Sequence, residues 1–145
     1  MHPFPHRYEV RIDATPEGAL RLNAEGSTEI ASLPPPQFGG PGGYWSPETL
    51  LLAAVGDCMM MTFRGIAKAS RFEWRELSAR VEGVLERIEG DSRFTQIRTH
   101  VALRVPPGAD HARARKLLEK AEQGCPISNS LTAERHLDCQ VVEAA

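Results

Sequence analysis

The segment from Ser46 to Ser70 constrains the fold more than any other part of the chain. Ser46 offers a side-chain cap, and Pro47 suits the first helical position, where its missing N–H would have had no partner. Glu48 puts a carboxylate in the first turn, where the helix dipole favours it. Leu50, Leu51, Ala54, Val55, Cys58, Met61, Thr62 and Gly65 or Ile66 then recur at spacings of three and four. Between Leu51 and Phe63 the apolar residues run almost all round, interrupted only by Gly56, Asp57 and Thr62. A helix of that kind is buried on all sides, so the spacing predicts a central helix that the rest of the chain must wrap.

The flanking sequence supplies strands to do the wrapping. Tyr8, Val10 and Ile12 share one face of a first strand, Leu20 and Leu22 of a second, Thr28 and Ile30 of a third. Thr15-Pro16-Glu17-Gly18 and Asn23-Ala24-Glu25-Gly26 separate them as turns, which reads as an antiparallel meander. The stretch from Leu33 to Tyr44 is too rich in proline and glycine for a helix or a central strand. It reads as a surface crossover or, more sharply, as a glycine-rich wall beside a site, though it has no P-loop lysine. After the helix, Leu77 to Leu85 and Thr95 to Val105 alternate about a Glu89-Gly90-Asp91-Ser92 turn and predict a long hairpin. Asp110 can cap a helix with an Ala112, Ala114, Leu117, Leu118, Ala121 stripe, and Gly124 stops it. Cys125 before Pro126 takes the cap position of a short helix over about 126–133. A strand with Cys139, Val141 and Val142 closes the chain. The whole is an α+β fold: N-terminal β-meander, long buried central helix, β-hairpin, two further helices and a C-terminal strand.

Size and charge narrow the function. The 145 residues, 41% hydrophobic and 25% charged, fit a single domain, 1–145, that can bury a core without disulfide staples. No apolar run reaches the roughly 20 residues of a membrane span, and the first residues lack the apolar stretch of a signal peptide, so the expected location is cytoplasmic. A formal net charge of -2 without blocks of like charge argues for neither a nucleic-acid nor a membrane partner. Three cysteines are too few and too odd in number for a secreted disulfide framework, which makes reduced thiols the resting state.

Two of those thiols carry the chemistry. A sulfur at a helix start is stabilised as an anion by the free amides of the first turn, so Cys125 has a local reason to ionise. Cys58 sits mid-helix beside Asp57 and needs a cation from elsewhere; alone, it is as readily a small core hydrophobe. Cys139, alternating with apolar residues, reads as packing. The three cysteines with His100, His111 or His136 show no metal-ligand spacing such as C-x2-C or H-x3-H. Met59-Met60-Met61 is core filler or a soft apolar wall beside a thiol. Glu48 is a good helix-start residue whatever the function; about 15 Å from Cys58 along an ideal helix, it can act on that thiol only by orienting an arginine.

Ser46-Pro47-Glu48-Thr49-Leu50-Leu51-Leu52-Ala53-Ala54-Val55-Gly56-Asp57-Cys58 closely resembles the S-P-E-x-L-L-x-A-x-x-x-x-C segment of OsmC-like proteins. Ala121-Glu122-Gln123-Gly124-Cys125-Pro126-Ile127-Ser128 resembles their second motif, A-E-x-x-C-P-I/V-S. Two motifs in order, with the hairpin and helix between them, make the resemblance specific over almost the whole chain. It implies the OsmC fold, an intertwined homodimer with two long central helices wrapped by sheets and active sites at the dimer interface. It implies a thiol peroxidase acting on organic hydroperoxides, in some branches hydrogen peroxide, without metal, haem or flavin. In that reading Cys58 is the peroxidatic cysteine, oxidised to a sulfenic acid, and Cys125 the resolving cysteine. An external dithiol reopens their disulfide. Glu48 resembles the glutamate that holds an arginine against the peroxidatic thiolate. Organic hydroperoxide resistance proteins carry that arginine in a Gly-Gly-Arg-type segment, and the corresponding Ala14-Thr15-Pro16-Glu17-Gly18 has none, which is nearer the general OsmC-like branch. Arg11 and Arg21 are the substitutes nearest in sequence. The competing reading is a binding or sensing protein of the same fold that holds a small apolar ligand at the dimer interface while the cysteines pack. A general disulfide oxidoreductase is disfavoured by the absence of C-x-x-C.

Overall fold

The long helix is present as α1, Pro47–Ala69, in the computed structural model, which describes residues 1–145. Ser46 caps it as expected, its Oγ accepting from the Thr49 N–H at 3.2 Å while its own N–H donates to Thr49 Oγ1 at 2.9 Å. This is a reciprocal capping box with threonine in place of the usual Glu or Gln. Burial follows one stripe, Val55, Gly56, Met59, Phe63 and Ala67, and Met61 is 59% exposed. The all-round burial read from the sequence is therefore not met within one chain. One sheet face and one neighbouring helix cover only a sector of a helix, and the apolar residues on the other side stay uncovered. By length and composition alone α1 could cross a membrane, which corrects the expectation that no segment passes that test.

The chain divides into two compact units, Met1–Leu50 and Leu51–Ala145, the boundary falling inside α1. In the first, β1 (Arg11–Asp13), β2 (Leu20–Asn23) and β3 (Ile30–Ser32) form the expected antiparallel meander. Ile12 faces Leu22, which faces Ile30. The strands are shorter than the alternation suggested: Tyr8, Val10 and Thr28 lie outside them. Ile12, Leu20 and Ile30 are all exposed. Between Leu33 and Tyr44, where no helix was expected, Pro36–Phe38 makes one 3-10 turn. A proline at its start gives up only a donor that such a turn does not use. Gly40 is obligatory there, since a Cβ on it would lie 1.6 Å from the Pro34 carbonyl oxygen.

The second unit is a sheet with helices on one face. β4 (Glu76–Ile88) and β5 (Asp91–Val105) pair antiparallel through a two-residue turn, Glu89-Gly90, both at positive φ (51° and 93°). Asp91 and Ser92, expected in the turn, already belong to β5. The register slips between Val84 and Leu85, leaving Thr95 unpaired, so Phe94 replaces Thr95 as the residue extending the apolar face of Ile97. Asp110 Oδ1 accepts from the Arg113 N–H at 2.9 Å and caps α2, His111–Gln123. Ala114, Leu118 and Ala121 are its buried stripe, with Ala112 outside it. α3 is Pro126–Asn129, half the expected length, because Leu131 and Ala133 leave the helix to join Val55 and Ile97 in a small apolar cluster. β6 (Glu134–Glu143) then runs parallel to β5, with Cys139 opposite Val101.

The main core brings Met59, Phe63 and Ala67 of α1 against Ala114, Leu118 and Ala121 of α2 and Val101, Leu103 and Val105 of β5. Cys125 is part of it. The other face of the sheet is polar: His100 Nε2 meets Glu82 at 2.7 Å and its Nδ1 meets Asp138 at 3.2 Å, while Arg98 also pairs with Asp138.

Candidate active site

Cys125 occupies the cap of α3 that its sequence position predicts. Its Sγ accepts from the Ser128 N–H at 3.5 Å, its residue is 0% exposed, and the sulfur lies 4.0 Å from the Val55 carbonyl oxygen of α1. Cys58 is one helical turn beyond Val55 on the same side of α1, half-exposed. Folding thus brings together thiols that the sequence holds far apart, close enough for each to shift the ionisation of the other, and both are free. The Ile127 amide serves both sulfurs.

The pair is electrically unequal. Burial pushes the Cys58 thiol up, and the neighbouring Cys125 adds to that beyond what the Ile127 amide and the Thr62 hydroxyl take back. Thr62 also donates to the Cys58 carbonyl at 2.8 Å, and its one proton cannot serve both acceptors at once. Burial pushes Cys125 up too, but the Ser128 hydroxyl and amide, the Cys58 thiol and the Ile127 amide together hold it below the ordinary thiol range. Of the two thiols Cys125 is therefore the more readily ionised, as the local sequence argument about the cap implied.

The remaining candidates are placed as follows. Glu48 is in the first turn of α1, one carboxylate oxygen buried without a hydrogen-bond partner. Arg11 and Arg21 are exposed on β1 and β2, and neither pairs with Glu48. Met59 is core at 1% exposure and Met61 faces outward, so the methionine run does not form one wall. Cys139 packs against the main core, burial and then Glu119 raising its thiol. His100 and His136 contact carboxylates on the sheet, and no group of three metal-type ligands converges.

Sequence reasoning missed what fixes the Cys125 loop. Arg135 of β6 reaches back with Nε to Glu122 at 2.9 Å and donates from Nη1 to Asn129 Oδ1 at 2.7 Å, and Asn129 donates to the Gln123 carbonyl at 3.1 Å. This clasp ties the end of α2, α3 and β6 around Cys125. The Ser128 contact was legible, since a cap residue takes its hydrogen bond three positions on. Arg135 carried no signal, because its partner depends on the strand pairing.

A family model described as OsmC-like protein matches residues 40–140. The chain belongs to the OsmC-like family. The uncharacterized protein YmaD of Bacillus subtilis is 29% identical over 109 residues, 73% of each chain. Peroxiredoxin OsmC of Escherichia coli is 28% identical over 96 residues, 66% of each. Among solved structures, an OsmC-like protein of unknown function from Vibrio cholerae superposes with a TM-score of 0.83 at 16% identity, over 95% of this chain and 100% of that one. An organic hydroperoxide resistance protein from Elizabethkingia anophelis gives 0.75 at 23% identity, over 97% and 100%. The α+β arrangement is thus the OsmC-like fold, and the family includes peroxiredoxin-like proteins.

Proposed function

We propose that this OsmC-like protein is a thiol-dependent peroxidase that reduces organic hydroperoxides through Cys58 and Cys125. The observation that carries the reading is the contact between an accessible thiol and a buried one held by amides, both reduced. A hydroperoxide reaches Cys58 and not Cys125, whatever the resting position of the proton. When Cys125 is ionised, Cys58 passes its proton to that neighbouring sulfur and attacks as the thiolate. Its sulfur takes the terminal peroxide oxygen, the O–O bond breaks, and the alkoxide leaves and is protonated to the alcohol. The Cys125 sulfur, deprotonated again, attacks the Cys58 sulfenic acid and expels hydroxide, protonated to water, to give a disulfide. An external dithiol, itself oxidised to a disulfide, restores both thiols. No step calls on a metal, haem or flavin.

Glu48 enters this scheme as a positioning residue. The uncovered apolar residues of α1, Met61 among them, support a homodimer, whose second copy would supply the guanidinium that Glu48 orients. The cycle needs a reducing compartment, which fits a cytoplasmic location.

The test is consumption of cumene hydroperoxide by the reduced protein with dithiothreitol as reductant. Cys58→Ser should fall to the uncatalysed rate, and Cys125→Ser given the hydroperoxide without reductant should accumulate a sulfenic acid on Cys58 that dimedone captures. Equal consumption by wild type and Cys58→Ser overturns the proposal. Apolar-ligand uptake that survives both substitutions together would instead establish the binding reading.

A further inference from the structure

Ser128 stands out among the groups around the two sulfurs. Its residue is 4% exposed, its N–H reaches the Cys125 sulfur at 3.5 Å, and its hydroxyl, on the same residue, also favours that sulfur as an anion. Cys58 has the Ile127 amide and the Thr62 hydroxyl, but that hydroxyl donates to the Cys58 carbonyl at 2.8 Å and cannot serve the sulfur at the same time. A disulfide joining the two is therefore asymmetric in two respects. One sulfur is accessible, and the other, once released, falls into a ready-made set of donors.

Thiol–disulfide exchange responds to both. The attacking thiolate needs an open path to one sulfur along the S–S axis, and the better-stabilised sulfur leaves faster. We propose that Ser128 is a positioning residue that holds Cys125 as the departing thiolate, so that the external reductant attacks the Cys58 sulfur of the disulfide. In that step a thiolate RS⁻ forms a new bond to Cys58 Sγ, the Cys58–Cys125 bond breaks, and its electron pair leaves on Cys125. The second thiol of the dithiol then displaces Cys58, which takes up a proton, and the reductant departs as its own disulfide. The inference deepens the peroxidase reading and rests on the Cys58–Cys125 disulfide that reading requires.

The experiment bypasses the peroxide. The full chain is oxidised with diamide, the disulfide is confirmed by mass, and the protein is mixed with glutathione, quenched with acid and mapped by peptide mass spectrometry. The adduct should fall on Cys58 about tenfold more often than on Cys125. Ser128→Ala should slow reduction by dithiothreitol about threefold and flatten its pH profile, because the leaving sulfur loses a donor. Ser128→Thr, which keeps the hydroxyl, should recover the wild-type rate. Adducts chiefly on Cys125, or a Ser128→Ala rate and pH profile equal to wild type, overturn the inference while leaving the peroxidase reading intact. So does a Ser128→Thr rate no faster than that of Ser128→Ala, which would mark a packing defect. Failure of diamide to form the disulfide sinks both.

Discussion

Replacing Arg135 by methionine should loosen the loop that presents Cys125, and the structure sets the size of the effect. The guanidinium makes two contacts, to Glu122 at 2.9 Å and to Asn129 at 2.7 Å. The side chains of Arg135 and Glu122 are 28% and 18% exposed, so the pair lies between the surface and fully buried limits. A surface ion pair contributes about 0–1 kcal/mol, and breaking a buried one costs about 3–5 kcal/mol. With roughly 1 kcal/mol for the ion pair and a similar amount for the Asn129 bond, Arg135→Met should cost about 2 kcal/mol. At a tenfold change per 1.4 kcal/mol, local opening of the loop becomes about 30-fold more frequent. Denaturant unfolding of wild type, Arg135→Met, Glu122→Gln and the double variant gives the coupling directly. It should be about 1 kcal/mol, with faster amide exchange across Cys125 to Leu131 in Arg135→Met. A coupling below about 0.3 kcal/mol, or unchanged exchange in the loop, would refute the clasp.

Ultraviolet titration of thiolate formation should show one of three thiols ionising below the ordinary range; that step should vanish in Cys125→Ser and move upward in Cys58→Ala, which removes a donor. The sign for stability follows. The depressed Cys125 contributes stability that is complete above the ordinary thiol pKa and lost as pH falls through its own value. The raised Cys58 and Cys139 contribute stability complete below the ordinary value and lost as pH rises through theirs, so Cys125→Ala should lose most, relative to wild type, on the alkaline side. Phe63→Ala, at 0% exposure and edge-on to Trp74 with 5.7 Å between ring centroids, should cost about 3–5 kcal/mol in denaturant unfolding. Gly83→Ala would put a Cβ 2.6 Å from Phe94 Cε1 and 2.9 Å from Leu52 Cδ2, so it should destabilise by about 1–3 kcal/mol; a neutral result would mean that the Phe94 ring moves freely.

Which elements were legible depended on how local their causes are. The capped start of α1, the Asp110 cap and Cys125 at the head of α3 each depend on a few adjacent residues, and each is where the sequence put it, while the hairpin turn was read two residues too long. The bulge at Thr95 was invisible, because alternation cannot show that one residue has dropped out of register. The meander was read too long because alternating apolar residues imply a buried face, and Ile12, Leu20 and Ile30 have none within the chain. The breadth of the apolar surface on α1 was read correctly from the sequence, but which sector is covered was not.

The sequence by itself determined the order of elements, the family motifs and the anionic bias of Cys125, because capping amides lie within three residues of the sulfur. Only the tertiary structure decided that Cys58 meets Cys125, that one is reachable and the other sealed, and that Arg135 closes around them. Those depend on β6 pairing with β5 and on α1 packing against the resulting sheet, and contacts made across the chain leave no local pattern to read.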